Sequence, residues 1–143
     1  MMSENVNIQI HAGMNNMDFD KVTTMLSTAF WSEGIQKDEV LQGASNSALV
    51  VGAFNNDIQV GYARVISDKT RFAYILDVIV DENFRKMGIG QSIIKFILSN
   101  EELQDIYQWL LITKDAHEMY RKCGFSEVSR PMDWMEIRNN RMS

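Results

Sequence analysis

Cysteine, histidine and net positive charge are all scarce in this sequence. A single cysteine, Cys123, among 143 residues excludes an internal disulfide and a cysteine-based zinc site. His11 and His117 are the only histidines and stand far apart, so no histidine metal centre, and no metal, is expected. Lysine and arginine number 14 against 19 acidic residues, and the net charge of -5 argues against a nucleic-acid-binding domain. The same balance suits a cationic substrate such as an amine, although acidity serves solubility as well. No apolar run approaches the ~18 residues of a membrane span, so no membrane partner is expected. The opening Met1-Met2-Ser3-Glu4-Asn5 has neither the basic end nor the apolar run of a secretory leader, and a reducing, cytoplasmic location is the expectation.

What is present is ordinary for a globular domain: 45% hydrophobic and 23% charged residues. A chain of this length buries roughly 68–70% of its unfolded surface. No repeat, low-complexity tract or linker interrupts it, so residues 1–143 read as one domain. Val6, Ile8 and Ile10 alternate with polar residues, which predicts a first strand. Asp18 precedes a helical pattern that places Val22, Met25, Leu26, Ala29 and Phe30 on one face. A short helix is expected over 36–42. Two strands, 49–54 and 58–66, are joined at Asn55-Asn56-Asp57, residues that tolerate hairpin turns. Residues 72–80 form a strand with almost no polar content, as expected where both faces are covered. Then follow a helix carrying Ile89, Ile93, Phe96 and Ile97, and an apolar strand over 109–113. A short helix is next, with Asp115 and Glu118 spaced as a capping box and Gly124 as its stop. Val128 and residues 134–137 are expected to close the chain as strands. The order β-α-α-β-β-β-α-β-α-β(-β) defines an α/β (α+β) mixed sheet with helices packed against it.

The stretch from Asp77 to Gln91, DVIVDENFRKMGIGQ, bears on chemistry. A strand ends near Val80, a polar turn follows, and Arg85-Lys86-Met87-Gly88-Ile89-Gly90 opens a helix. Amides in the first turn of a helix lack internal partners, and the positive end of the helix dipole adds to them. Together they make a cradle for phosphate. Gly88 and Gly90 leave the backbone open to close approach, and Arg85 and Lys86 add positive charge. Gly-x-Gly before a helix is equally compatible with a flexible helix entry that binds nothing. A dinucleotide fingerprint requires a third glycine where Ile93 stands, and the Gly-Lys-Ser/Thr of a P-loop is absent.

Arg-x-x-Gly-x-Gly after a Val-x-Val strand end resembles the cofactor motif of the GCN5-related N-acetyltransferases (GNAT). Ala116 to Phe125, AHEMYRKCGF, is similar to that family's second signature, A-x-x-L-Y-x-x-x-G-F. The resemblance covers nearly the whole chain and is strongest from Phe72 to Phe125. It implies the GNAT fold and acetyl-CoA as co-substrate. The backbone of Val78, Ile79 and Val80 would pair with the pantetheine arm. Lys86, Met87, Gly88, Ile89, Gly90 and Gln91 would surround the pyrophosphate, with Arg85 beside them. It further implies that the strand of Phe72–Val80 splays from the strand of Trp109–Thr113, and that a homodimer through terminal strands is possible. Two departures stand out. Asp81-Glu82-Asn83 occupies a turn that often holds proline, and Thr113 replaces a frequent cofactor-contacting asparagine.

Acetyl transfer requires a neutral amine. A lysine-like amine of pKa about 10.4 is neutral in about one part in 2,500 at pH 7, a handicap of roughly 4.6 kcal/mol. A carboxylate, directly or through water, can take its proton. Asp77, a lone acid in the apolar run Tyr74–Val80, is the candidate, or else a structural aspartate accepting backbone hydrogen bonds. A strand-end amide could stabilise the oxyanion. Tyr120, matching the signature tyrosine, is the candidate proton donor to the departing thiolate, or else a core tyrosine. Glu33 is a second candidate acid. With Phe30 and Trp31 it could hold a cationic amine in the loop after the first helix; alternatively Trp31 simply packs on the sheet. Tyr74 and Arg64 could face the same channel. Cys123 reads as a buried structural thiol, lacking anything to lower its pKa. His117 reads as an exposed helix residue. The acceptor, a small molecule or a protein amine, is not specified. A non-catalytic acyl-CoA sensor using the same cradle is the alternative.

Overall fold

The computed structural model describes residues 6–141; the opening residues 1–5, read above for a leader, lie outside the described residues. Five strands and four helices follow in the order β1 (Ile8–Ala12), α1 (Phe19–Ser27), α2 (Lys37–Ser45), β2 (Leu49–Asn55), β3 (Ile58–Ser67), β4 (Phe72–Val80), α3 (Ile89–Leu98), β5 (Gln108–Leu111) and α4 (His117–Lys122). The sheet order is β1-β2-β3-β4-β5. The first three pairings are antiparallel, and β4 pairs with β5 in parallel. This is the mixed sheet expected from the sequence. The β2–β3 turn works as anticipated: Asn56 sits at φ 57°, a conformation asparagine adopts readily.

Helices cover both faces. On one, Ile89, Ile93, Ile94 and Ile97 of α3 pack with Val51, Ala53, Val65, Ala73 and Ile75 of the sheet. On the other, Val22, Met25, Leu26 and Ala29 join Val40 and Ala44 of α2 against Val50, Tyr62 and Ile79. Alternation along the strands sends successive residues to opposite faces, so β2, β3 and β4 each feed both cores. Asp18 caps α1 by accepting from the Lys21 amide at 3.2 Å. Buried Gln59 accepts the Asp18 N–H at 2.8 Å and donates to the Gly61 carbonyl at 2.9 Å, fixing where α1 leaves the sheet.

Several expectations are corrected. Residues 125–141 form no strand; their only regular element is a 3-10 turn, Pro131–Asp133. Pro131 has no N–H to donate, and the apolar residues 134–137 find no partner: Met135 and Ile137 are 97% and 92% exposed. Apolar content alone had suggested strands there. Phe30 leaves the buried face of α1, which ends at Ser27, and stands 65% exposed. Strand β4 is not covered on both sides: Tyr74, Leu76, Asp77 and Val78 are half-buried, because the sheet opens beside them. The Asp115–Glu118 capping box does not form. Ala116 is the N-cap of α4, and the Thr113 hydroxyl accepts the Ala116 amide at 3.0 Å. Gly124 does terminate α4, at φ 103°.

Candidate active site

The turn after β4 is built to present backbone amides. Lys86 at φ 66° and Gly88 at φ 77° both take left-handed backbone, which bends the chain sharply into the start of α3. The first helical bond runs from Ser92 N–H to the Gly88 carbonyl at 3.0 Å, so the amides of Ile89, Gly90 and Gln91 have no acceptor among the described residues. Space is open above them. A Cβ on Gly88 would meet nothing within 4 Å, and one on Gly90 would make only ordinary contacts, 3.5 Å to Met119 and 4.0 Å to Val80. Lys86 and Met87 are exposed beside this cradle. Arg85 turns back, donating from Nε to the Val80 carbonyl at 3.1 Å, and so braces the strand end as well as charging it.

The cradle stands at the end of a slot. Strands β4 and β5 pair from Phe72↔Gln108 to Ile75↔Leu111 and then part. The edge of β4 from Leu76 to Val80, including Val78, Ile79 and Val80, therefore has no neighbouring strand on that side. A second irregularity lies on the other edge of β4. Tyr62 pairs with Ile79 and Arg64 with Leu76, so two steps along β3 face three along β4. This bulge puts Asp77 at φ 57°, a strained backbone that re-aims its side chain.

Asp77 is not a lone buried acid. Arg64 Nε donates to Oδ2 at 2.7 Å and Trp31 Nε1 to Oδ1 at 3.3 Å. Arg64 Nη1 also donates to the Gly43 carbonyl at 3.3 Å and the Ser47 hydroxyl at 3.4 Å. A Cβ on Gly43 would lie 3.2–3.3 Å from the guanidinium, so this glycine lets Arg64 lie close against α2. Phe30 meets Trp31 edge-on at 5.2 Å, and Lys114 Nζ lies 5.1 Å over the Phe30 ring. Phe30, Trp31 and Asp77 are thus brought together, with Lys114 reaching them from beyond β5. Tyr74 stands opposite Ile66 on the same strand pair. Glu33 is exposed on its loop and forms no ion pair among the described residues.

Tyr120 belongs to the opposite face, within the α3 core, 7% exposed and edge-on to Phe125 at 5.9 Å. Burial pushes its phenol up to about 12, with nearby Cys123 adding to the effect. The group is therefore a protonated donor throughout the neutral range. Asp77 and Tyr120 flank the sheet from its two sides, with the strand divergence between them. Burial also raises the Cys123 thiol, consistent with a structural role. His117 is exposed.

Two hollows accompany the slot. One of about 750 Å³ follows the far edge of β5, lined by Trp109, Tyr120, Cys123, Phe125, Val128 and Pro131, where terminal strands had been expected. Thr113 and Tyr120 both lie on its wall. A smaller recess of about 270 Å³ opens between α2 and the sheet, lined by Ile35, Glu39, Val40, Tyr62, Arg64 and Asp77. Sequence reasoning missed Tyr62, Glu39 and Gly43. Only Gly43 carried a signal, as a glycine inside a helix, where close approach of another group is the usual reason. Among the described residues no cluster of three potential metal ligands occurs, and no helix is long and apolar enough to cross a membrane.

The parallel strands β4 and β5 part to leave an open slot, closed at one end by a helix start whose free amides suit an anion. The family profile for the acetyltransferase (GNAT) domain matches residues 46–127, and the chain belongs to that family. A GNAT-family protein from Xanthomonas campestris pv. campestris shares 28% identity at a TM-score of 0.87, with 93% of this chain and 94% of that one covered. A GNAT-family acetyltransferase from Streptococcus pneumoniae TIGR4 shares 24% identity at a TM-score of 0.75, covering 95% and 100%. Glucosamine-6-phosphate N-acetyltransferase from Arabidopsis thaliana shares the fold at 16% identity and a TM-score of 0.68, covering 94% and 98%. The curated proteins contain no match. The protein is an acetyltransferase of a family that uses acyl-CoA.

Proposed function

We propose that the protein transfers the acetyl group of acetyl-CoA to a primary amine of a small molecule or a protein. The observation that carries this reading is the amide cradle at Gly88–Gln91 standing beside the unpaired edge of β4. The amides of Ile89, Gly90 and Gln91, with Lys86, take the pyrophosphate. The free edge at Val78–Val80 takes the amide groups of the pantetheine arm as an added strand would. Thr113, whose hydroxyl oxygen is spent on Ala116, still has its proton to donate.

The acceptor enters over Phe30, Trp31 and Tyr74, and Asp77 receives the ammonium proton directly or through water. Its ion pair with Arg64 keeps the carboxylate charged and oriented. The amine nitrogen then attacks the thioester carbonyl, a backbone amide at the end of β4 steadies the oxyanion, and the carbon–sulfur bond breaks. Tyr120 supplies a hydrogen bond or proton to the leaving thiolate; held protonated by burial, it is ready to donate. Glu33, exposed at the rim, attracts cationic acceptors. Two copies pair through the open edge of β5 and the exposed apolar segment around Met135 and Ile137, which size-exclusion light scattering would detect.

Free-thiol release with acetyl-CoA across an amine panel tests the reaction. Gly90→Ala tests the cradle, since the added methyl fits the fold yet stands where the phosphate would lie. The variant should melt at the wild-type temperature or slightly higher while its Kd for acetyl-CoA rises about tenfold, a loss of ~1.4 kcal/mol. Unchanged acetyl-CoA affinity would remove the cradle from consideration.

A further inference from the structure

The recess between α2 and the sheet contains a hydrogen-bonding group that the protein itself does not use. Tyr62 is wholly buried, the bulkiest such side chain among the described residues. Its hydroxyl has no hydrogen-bond partner there, and it is the only buried side-chain polar atom of the described residues in that position. Buried polar groups in folded proteins are nearly always paired, so an orphan on a residue that lines an open recess, covered by the recess wall in this structure, points to a ligand that displaces the cover. The hydroxyl feels Arg64 and Asp77, whose charges act on it in opposite directions, while burial keeps it protonated. Among the described residues Arg64 Nη2 is likewise without a partner, since Nε and Nη1 make the hydrogen bonds of that side chain.

The charges around the recess cancel in pairs. Arg64 is matched by Asp77, and Glu39 by Arg141. Unused N–H and O–H donors thus remain in a locally neutral hollow whose other walls include Ile35 and Val40. A carboxylate entering it would be a buried charge without a counter-ion. A plain hydrocarbon would leave the Tyr62 hydroxyl orphaned. An uncharged oxygen meets neither objection.

We infer that this recess is a specificity subsite that holds an uncharged oxygen, hydroxyl or carbonyl, carried by the acceptor amine and bonded by Tyr62 with Arg64. The inference rests on the proposed entry of the acceptor over this face. It makes the preferred acceptor an amino alcohol, amino sugar or amino amide rather than an alkylamine or a free amino acid. At about 270 Å³ the recess admits a small fragment of such a molecule.

Matched primary amines test it: an alkylamine with its hydroxyl counterpart, an amino acid amide with the amine lacking the carbonyl, and the free amino acid. Each is assayed for kcat/KM, and by calorimetry for binding to protein saturated with CoA, using wild type and Tyr62→Phe. Wild type should favour at least one oxygenated member over its partner by about tenfold or more, and Tyr62→Phe should shrink that ratio to about threefold or less. Which pair shows the preference separates hydroxyl from carbonyl. Equal use of both members by wild type, a preference that survives in Tyr62→Phe, or the free amino acid binding best would each overturn the inference, while turnover would leave acetyl transfer standing. If nothing is turned over, binding decides: an oxygen preference lost in Tyr62→Phe supports the recess and counts against the reaction, and no binding of any amine overturns both. Tyr62→Phe should melt no lower than wild type; a clear drop would show that the hydroxyl already has a structural partner, and the subsite would fall.

Discussion

Asp77 occupies a position where backbone strain, charge pairing and hydrogen bonding meet. Its left-handed φ is tolerable to asparagine, so Asp77→Asn alters charge with little change of backbone. Arg64, with its side chain only 17% exposed, would then lose its counter-charge, and a loss of about 2–3 kcal/mol in denaturant melts is expected. If the carboxylate accepts the amine proton, kcat/KM should also fall about 100-fold or more. Wild-type turnover in that variant would return Asp77 to a purely structural role. Gly43→Ala separates the same two contributions differently. Relief of a glycine inside a helix is worth about 1 kcal/mol, which offsets the displacement of the Arg64 guanidinium, so stability should change little. The amine KM should nevertheless rise, because Arg64 no longer lies where Asp77 and the recess need it.

At the scale of elements, α3 does two jobs with two halves of its surface. Its inward isoleucines anchor it, and Ile93, wholly buried, should cost about 2–5 kcal/mol when replaced by alanine. Its open end carries the amides. Gly88→Ala meets no atom but forces a methyl-bearing residue to φ 77°, so a loss of about 1–2 kcal/mol is expected from backbone strain alone, read as a lowered melting midpoint. The neighbouring turn is tied to α1 by Lys21 and Asp81 at 2.8 Å. The Lys21 hydrogen bond is the main cause that lowers the Asp81 carboxyl, with the Asn83 amide assisting. A lowered carboxyl stabilises the fold above its ordinary pKa and loses that contribution as pH falls through the folded value. Lys21→Met should therefore cost at most about 1 kcal/mol at neutral pH, with the difference from wild type shrinking in acid.

For the whole molecule, alkaline pH is the informative stress. Tyr120 ionises near 10.0 when unfolded and at about 12 when folded. A raised value means that the folded state keeps the proton longer, so the contribution is complete below pH 10 and is lost as pH rises toward 12. Tyr62 is shifted in the same direction, again chiefly by burial. The unfolding free energy from urea melts should hold up to about pH 10 and then fall, by on the order of 2 kcal/mol from Tyr120 alone. Tyr120→Phe should flatten that fall and reduce kcat. A wild-type midpoint indifferent to alkaline pH would contradict the burial of both phenols.

The order of elements as far as α4, the mixed sheet, the glycine pair before α3 and the Tyr120 signature could be read along the chain. Each is set by neighbours close in sequence: apolar periods of two or 3.6, a turn rich in asparagine, a glycine pair before a helix. Three features depended on the folded molecule. The bulge that turns Asp77 arises from a register mismatch with β3, and register belongs to a pair of strands. Arg64, Trp31 and Gly43 converge on Asp77 or its partner from separate segments, and no local pattern encodes that meeting. That residues 134–137 form no strand is seen only in the folded chain, which leaves Met135 and Ile137 exposed and the far edge of β5 open. Apolar spacing states what a segment could bury; only the packed chain determines whether something is there to bury it.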